Sequence, residues 1–567
     1  MKLTTIVRLA LSVAGVAVSG CGLSEPPPFS PGQIQQIQKE QADQVPPARL
    51  KPLPTSFESL MPPGATMPTT MPVRTAKYDM GPTVKLTLQE VIHRAVVNSL
   101  DVRVAGYEPA IDEVRILEAR SRFDPVFFSN GQFQKEYQQT GVGGNMTPPE
   151  VLSQQIQTGI KQNLTDGGQI ELRGQARRQE VDSDTLLSGV NPFYQNELVL
   201  QLTQPLLRDF GGKVNRARVT IAQNDQRISQ LDWRDKLEQA VFTIEEGYWR
   251  LYQAKRNLEI QEELLKQTED TLDILIKRLK QDTTRLQVSQ GNAAVQSRRA
   301  ELWRARQEIG NISDQIKRIM CDPDLPVASA LTITPADAPM EEAVQYSLGD
   351  QIQAASENRF DLLQQAIRVM SAREIVWAAK NNALPQLNLT GSVGLQGLGA
   401  DFDDAADRQR RTDQFVYTVG LSFEVPIGNR GPRAIYQRTL LQHQQAILQY
   451  RTLVEEAGLQ VKKAYREVET AWNEIIATRH ARFAAKDALE AIEQRERSGE
   501  TLRPEFVQLK LDRQEALALA WRAEVQSIVN YNIAVAGMEK AKGTLLRYNN
   551  VIMKEEGGGK PTAAVKK

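Results

Sequence analysis

The chain has few of the residues on which catalytic and metal sites depend. Its 567 residues include two cysteines and three histidines, and aromatic residues make up 6%. No His/Cys set has metal-ligand spacing, no Gly-rich phosphate loop follows a strand, and no nucleophile elbow is present. The 69 basic residues equal the 69 acidic ones, which argues against a broad nucleic-acid surface. The sequence therefore predicts a protein that is not an enzyme, with no cofactor, metal or nucleic-acid partner.

The first twenty residues predict export rather than a part of the fold. Lys2 and Arg8 give a basic start, Leu9–Val18 is mostly apolar, and Val18-Ser19-Gly20-Cys21 follows. This order is typical of a bacterial lipoprotein signal, with cleavage before Cys21 and acylation of that cysteine. An ordinary secretory signal beside a chance cysteine is the alternative. With Cys21 acylated, Cys321 has no partner for an internal disulfide.

An internal repeat organises the rest of the chain. The helical pattern of Leu86–Arg122, with Thr87 as a cap, matches Tyr346–Asn382 at a spacing of 260 residues, whereas the long helices match at 217. The first repeat therefore carries about 43 more residues, which lie in Gln138–Asn191. The predicted segments are a signal peptide (1–20), a Pro-rich tether (21–83), the first repeat (84–322), an inter-repeat linker (323–345), the second repeat (346–550) and a disordered tail (551–567).

Strands with strict alternation of apolar and polar residues occur in both repeats. The second repeat has Leu387–Leu395 and Tyr417–Val425, and the first has Val126–Gln138 and Asn196–Gln204. Such alternation fits a sheet packed on a core or an outer-membrane barrel with lipid outside and water inside. Because small barrels need about eight strands, a barrel here must be shared between subunits. An extra hairpin, Ile156–Glu180, adds strands to that barrel or forms an external or periplasmic hairpin.

Two short motifs join these strands to very long helices. The first lies in Gln204–Gly212 and the second in Val425–Gly431. Proline ends a strand because it lacks a donor, and glycine lets the chain turn. The candidate hinge residues are Pro205, Gly211, Gly212, Pro426, Gly428 and Gly431. The helix predicted from Lys213 to about Lys280 would be about 100 Å long, and return helices follow at about Ala293–Met320 and from Glu505 to about Tyr548.

This order of parts resembles the TolC family of outer-membrane efflux proteins over about Leu86–Tyr548. The residues that carry the resemblance are Leu88, Ala95 and Asn98 with Phe123-Asp124-Pro125, the twin Ala383–Leu387, the two strand-to-helix motifs, and Glu496–Gly499 with Glu505–Gln508. The resemblance implies a mainly α fold with transmembrane β structure. A long coiled-coil α-helical barrel would join a trimer-shared outer-membrane β-barrel, and an equatorial region of shorter helices would use Pro323–Gln345 and parts of Leu86–Arg122 and Tyr346–Asn382.

The same resemblance implies a function. The chain would form a homotrimer, anchored by lipid in the outer membrane of a Gram-negative-type bacterium, with its helices in the periplasm. It would be the passive conduit of a tripartite efflux or type I secretion system, fed by a periplasmic adaptor and an inner-membrane transporter. The alternative is a periplasmic coiled-coil lipoprotein scaffold without a channel.

The resemblance also points to candidate gating residues at the turn of the second helical hairpin. Counted from Gly499, the family's acidic aperture positions fall on Glu505 and on Gln508, which departs from the pattern. Arg497 and Arg503 are candidates for tying neighbouring hairpins together. The simpler interpretation of Glu505 is a solvated acid in the first turn of a helix, where the helix dipole favours it.

Overall fold

The computed structural model describes residues 82–137, 150–182, 190–278, 284–411, 414–498, 504–554 and 562–565. The predictions that concern the signal peptide, Cys21, Gly499 and Arg503 lie outside these residues. The chain divides into two compact units. The smaller includes the described residues 82–84 and 323–332, and the larger includes 85–322 and 333 onward.

Helices dominate the larger unit. They are α1 (Leu88–Asn98), α2 (Leu100–Ala105), α3 (Tyr107–Ser121), α4 (Gly212–Asn215), α5 (Ala217–Lys277), α6 (Arg285–Met320), α7 (Leu348–Asn358), α8 (Phe360–Asn382), α9 (Phe402–Arg410), α10 (Arg430–Arg497), α11 (Pro504–Ala541) and α12 (Leu545–Tyr548). The strands are β1 (Thr83–Leu86), β2 (Val126–Tyr137), β3 (Glu150–Asn163), β4 (Gln169–Asp182), β5 (Phe193–Pro205), β6 (Thr332–Pro335), β7 (Gln386–Gly399), β8 (Phe415–Glu424), β9 (Val551–Lys554) and β10 (Thr562–Val565). Among the residues that the structure describes, no helix combines the length and apolarity needed to cross a membrane.

One antiparallel sheet contains all the strands predicted from alternation. Its order is β2-β3-β4-β5-β7-β8, and each neighbouring pair is antiparallel. The extra hairpin turns at Asp166-Gly167-Gly168 as predicted, and its strands β3 and β4 lie between β2 and β5. Of the alternatives left open by the sequence, the structure therefore favours the one in which the hairpin extends this sheet.

The entry helices of both repeats are broken where the sequence predicts continuous helices. Leu86–Arg122 is interrupted at Ser99 and Gly106, and the helix starts with the predicted capping box of Thr87 and Glu90. Tyr346–Asn382 is interrupted at Arg359, whose extended backbone has φ −63° and ψ 126°. The Arg359 side chain binds Asp361 at 2.6 Å and the Ala541 carbonyl at 3.3 Å. The Arg359 side chain thus connects the break to the start of α8 and to the end of α11.

Two further predictions are wrong in part. Pro323–Gln345 was a candidate for short equatorial helices, but its residues form turns and β6, because prolines such as Pro323 and Pro326 cannot donate backbone hydrogen bonds. The tail 551–567 was predicted to be disordered. Its described residues form β9 and β10, which pair antiparallel from Val551↔Val565 to Lys554↔Thr562 and so satisfy each other's backbone groups.

Two helical hairpins, α5–α6 and α10–α11, follow the sheet strands β5 and β8 in the chain. At 1.5 Å per residue, the 61 residues of α5 and the 68 of α10 are about 92 and about 102 Å long. The predicted helix from Lys213 is interrupted at Arg216, and the first return helix starts at Arg285, where Thr284 and Gln287 form a capping box. Apolar residues from α10 and α11 fill the second hairpin, including Val461, Val468, Ile475, Tyr531 and Met538.

Tyr248 connects the middle of α5 to the loop after β6. Its side chain is fully buried, and its hydroxyl lies 3.1 Å from the Leu86 carbonyl. The backbone amides of Ala336 and Asp337 donate to the same hydroxyl at 3.1 and 3.0 Å. This supports the interpretation of the helical aromatics as packing residues rather than a ligand box.

Glu238 is a buried carboxyl in α5. Its Oε1 accepts a hydrogen bond from the backbone amide of Leu545 at 3.1 Å. Its pKa is raised to about 7, mainly by burial and in smaller part by the nearby charge of Asp235, while the Leu545 amide and the charges of Lys540 and Arg359 oppose the rise. Because the folded state binds this proton more tightly than the unfolded state, stability falls as pH rises from about 4.5 to about 7, and then levels off.

The substitution Glu238→Gln should remove this pH dependence while keeping an acceptor for Leu545. We expect the variant to be more stable than the parent by up to about 3 kcal/mol near pH 8, and by much less near pH 5. Thermal unfolding of the detergent-solubilised protein at both pH values measures the difference. Glu263→Gln, an exposed position on the same helix, is the control. An equal shift at both pH values for Glu238→Gln would contradict the prediction.

Candidate functional site

One face of the six-stranded sheet is apolar from edge to edge. A single row of cross-strand neighbours runs through Phe127, Ile160, Leu172, Leu200, Val393 and Tyr417. Their exposed fractions lie between 44% and 74%. On β8 the same face continues with Phe415, Val419, Leu421 and Phe423. A continuous exposed apolar surface of this extent is typical of a surface that binds lipid or a protein partner.

The opposite face of the same strands is polar. One residue along the chain, the corresponding row is Val126, Lys161, Glu171, Gln201, Ser392 and Thr418. Alternation between an exposed apolar face and a polar face is typical of the transmembrane strands of outer-membrane barrels, whose outside meets lipid and whose inside meets water. The two faces can therefore separate a membrane from an aqueous pore.

The height of the apolar face fits a bilayer. Phe415 and Phe423 are eight residues apart on β8, or about 27 Å along the strand and about 21 Å along the membrane normal at a tilt of about 40°. An outer-membrane barrel carries an apolar band about 25 Å tall.

At the end of the strands far from the hinges, helix α9 covers this face. A Cβ at Gly397 would lie 2.0 Å from the Ala405 carbonyl oxygen, so only glycine allows this approach.

The first hinge turns the chain from β5 into α5 through two left-handed residues. Asp209 has φ 65° and Gly211 has φ 101°. Asn215 holds this turn, since its Nδ2 donates to the carbonyls of Asp209 at 2.7 Å and Gly211 at 3.1 Å. The Asp209 amide also donates to Asn381 Oδ1 at 2.7 Å. The hinge is therefore fixed to the end of α8, and Gly212 needs no unusual backbone angle.

The second hinge also turns the chain through two left-handed residues, but fewer hydrogen bonds hold it. Gly428 has φ 87° and Asn429 has φ 42°, and Asn429 Nδ2 donates to the Ala383 carbonyl at 2.8 Å. Both hinges thus meet the α8–β7 junction. Of the predicted hinge residues, Gly211 and Gly428 carry the left-handed turns, whereas Gly431 lies within the start of α10. Sequence reasoning missed Asp209, Asn215, Asn381 and Asn429, although asparagine and aspartate are the residues that best tolerate such turns.

The turn of the extra hairpin is seated on the first hinge. The Gly211 amide donates to the Asp166 carbonyl at 2.9 Å. Gly167 has φ 98°, and a Cβ on it would lie 2.0 Å from the Asp209 carbonyl oxygen. This contact needs glycine for its backbone angle and for its space.

At the turn of the second helical hairpin, the predicted gating residues lie on the surface. Glu505 and Gln508 are exposed in the first turns of α11, and Gln508 donates to Asp512 at 2.8 Å. Arg497 lies 3.6 Å from Glu493 on its own helix. In the described residues no contact joins Glu505, Gln508 and Arg497 to one another.

The sequence did not reveal a buried ion pair that joins α10 to α11 near this turn. Lys510 Nζ lies 2.7 Å from Glu496 Oε2, and their side chains are 9% and 17% exposed. Close by, Phe506, Val507 and Leu511 of α11 pack with Leu275 of α5 and Ile492 of α10. The ends of the two helical hairpins therefore share one apolar cluster.

Comparisons with known proteins agree with this geometry. Residues 351–542 match the family model of the outer membrane efflux protein. The outer-membrane channel OprN has 15% identity and a TM-score of 0.60, with 82% of this chain and 94% of that chain covered. The Campylobacter jejuni CmeC outer membrane channel has 15% identity and a TM-score of 0.59, with 81% and 86% covered. The open-state Neisseria gonorrhoeae MtrE outer membrane channel has 18% identity and a TM-score of 0.56, with 81% and 89% covered. No curated protein shows a significant sequence match.

These findings define a fold similar to that of outer-membrane channels, with a helical part joined to a β-sheet part. The chain carries an outer membrane efflux protein domain, and the resemblance to the TolC family of outer-membrane efflux proteins is confirmed. The predicted mainly α fold joined to a β-sheet part is confirmed as well.

Replacing Gly167 with alanine should weaken the contact between the extra hairpin and the first hinge. The left-handed angle and the short distance to Asp209 both oppose a Cβ, and we expect a loss of about 1–3 kcal/mol. Thermal unfolding in detergent measures the loss. Gly131→Ala in β2 is the matched control, because a Cβ there meets nothing within 4 Å. Equal stability of the two variants would contradict the role given to Gly167.

Proposed function

We propose that three copies of this chain form a passive conduit of an outer-membrane efflux or secretion system. The sheets of the three copies close one barrel in the outer membrane, and the long helical hairpins line a tunnel in the periplasm. The observation that carries this proposal is the apolar face of the six-stranded sheet, which continues through two fixed hinges into helices of 61 and 68 residues.

The edge strands of the sheet need further copies of the sheet to pair with. Strands in lipid must satisfy every backbone donor and acceptor, which a sheet achieves only by closing on itself. Within the described residues, β2 and β8 each have one neighbour in the sheet. Closure by further copies satisfies these edges and leaves the apolar face on the outside.

Energy for transport comes from elsewhere in the assembly. The conduit works with an inner-membrane transporter and a periplasmic adaptor, which deliver substrates to the ends of the helical hairpins. Acylation at Cys21 adds a lipid anchor after removal of residues 1–20.

The scaffold alternative accounts for the helices but not for the sheet. A water-soluble coiled-coil lipoprotein would leave residues such as Leu200, Val419 and Phe423 in contact with water. At about 25 cal/mol per Å² of apolar surface, this exposure would be strongly unfavourable.

The direct test uses the protein purified from the outer-membrane fraction. We expect a trimer that resists SDS and stepwise conductance when it is added to planar bilayers. Measurement of its mass in detergent gives the number of copies. A monomeric, water-soluble mature chain that produces no conductance would overturn the proposal.

The proposed aperture at Glu505 has its own test. Three symmetry-related Glu505 carboxylates would attract cations at a constriction. We therefore expect Glu505→Ala to change pore conductance and to weaken block by multivalent cations several-fold. Glu490→Ala, on the exposed face of α10, is the control and should leave both unchanged. Unchanged conductance and block in Glu505→Ala would remove the aperture role and leave Glu505 as a solvated helix-cap acid.

A further inference from the structure

We propose that the hairpin β3–β4 is part of the barrel wall, so that each copy contributes six strands and the trimer closes a barrel of eighteen. This inference rests on the trimeric conduit proposed above and adds the width of its outer-membrane pore. The alternative is a hairpin outside the wall, with β2 paired directly to β5.

The pairing of the hairpin is continuous on both sides. Strand β2 pairs with β3 over its whole length, from Val126↔Lys161 to Tyr137↔Glu150. Strand β4 pairs with β5 from Gln169↔Thr203 to Gln179↔Phe193. Strands β2 and β5 are therefore connected only through the hairpin.

The hairpin carries the same two faces as the rest of the sheet. Ile160 and Leu172 are 49% and 44% exposed, close to the 50% of Leu200 and the 45% of Val393 in the same row. On the other face, Lys161 and Glu171 are aligned with Gln201. A hairpin outside the membrane would place Ile160 and Leu172 in water without any reason for the alternation.

The base of the hairpin lies at the level of the hinges. Gln162 Nε2 and Asn163 Nδ2 at the end of β3 donate to the carbonyls of Phe123 and Arg122 at 3.0 and 3.1 Å. At the turn, the Gly211 amide donates to the Asp166 carbonyl. The hairpin thus starts from the same plane as the other strands, as a wall strand must.

Strand direction allows identical copies to close. Because the five neighbouring pairs are antiparallel, β2 and β8 run in opposite directions. The β8 edge of one copy, which is 10 residues long, can therefore pair antiparallel with the 12-residue β2 edge of the next. An odd number of strands per copy would force a parallel joint.

Eighteen strands make a wide pore. With strands about 4.8 Å apart and tilted by about 40°, the barrel is about 36 Å across, against about 24 Å for twelve strands. Barrels of this strand number leave an aqueous channel rather than a packed interior. The outer-membrane part would therefore not be the narrowest point for substrates.

Electron cryomicroscopy of the full-length trimer in lipid nanodiscs tests this directly. We expect eighteen wall strands, with Ile160 and Leu172 facing lipid. A variant that lacks Glu150–Asp182 but keeps the connecting residues joins β2 to β5, which are also antiparallel. We expect this variant to form a twelve-stranded barrel about two-thirds as wide.

Twelve wall strands in the full-length trimer, with the hairpin outside the barrel, would overturn the inference and leave the proposed conduit intact. The conduit itself fails by a different result, the absence of a trimer or of bilayer conductance. If the deletion variant does not fold, the strand count of the full-length protein still decides whether the hairpin is part of the barrel wall.

Discussion

The whole structure depends on one constraint, that backbone hydrogen-bonding groups in lipid must be paired within the protein. A sheet meets this constraint when every strand has two neighbours, and its side chains must then be apolar on the lipid face. The apolar row from Phe127 to Tyr417 is the face that we propose meets lipid, and the hinges at Gly211 and Gly428 lie where the strands end. Beyond the hinges the helices satisfy their own backbone groups, so the chain can continue as long hairpins in water.

The fold was largely predictable because its elements have strong periodic signals. Alternation located the strands of the sheet, a long run without proline located α5, and the motif Val425–Gly431 located the start of α10. The break at Arg359 could not be predicted, because its side chain binds the Ala541 carbonyl, which is far away in the sequence. The pairing of β9 with β10 was missed for a similar reason, since neither segment has a strong strand pattern of its own.

The site was only partly predictable. Proline and glycine marked both hinges, but not the side chains that hold the first one: Asn215 binds carbonyls within the hinge itself, and Asn381 binds it from the distant end of α8. The position of the extra hairpin within the sheet depends on which strands pair with β3 and β4, and alternation alone does not identify those strands. Glu505 and Arg497 remain predictions. The buried pair of Lys510 and Glu496 could not be found because the sequence gives no register between α10 and α11.

The most direct test of the account asks which side of β8 meets lipid. Single cysteines at Thr418, Val419, Gly420 and Leu421, with Cys321 replaced by serine and Cys21 kept because its acylated sulfur takes no label, can carry spin labels in the reconstituted protein. The account predicts that labels at Val419 and Leu421 are reached by lipid-soluble oxygen, and that labels at Thr418 and Gly420 are reached by a water-soluble nickel reagent. Equal access of the nickel reagent to all four positions would contradict it.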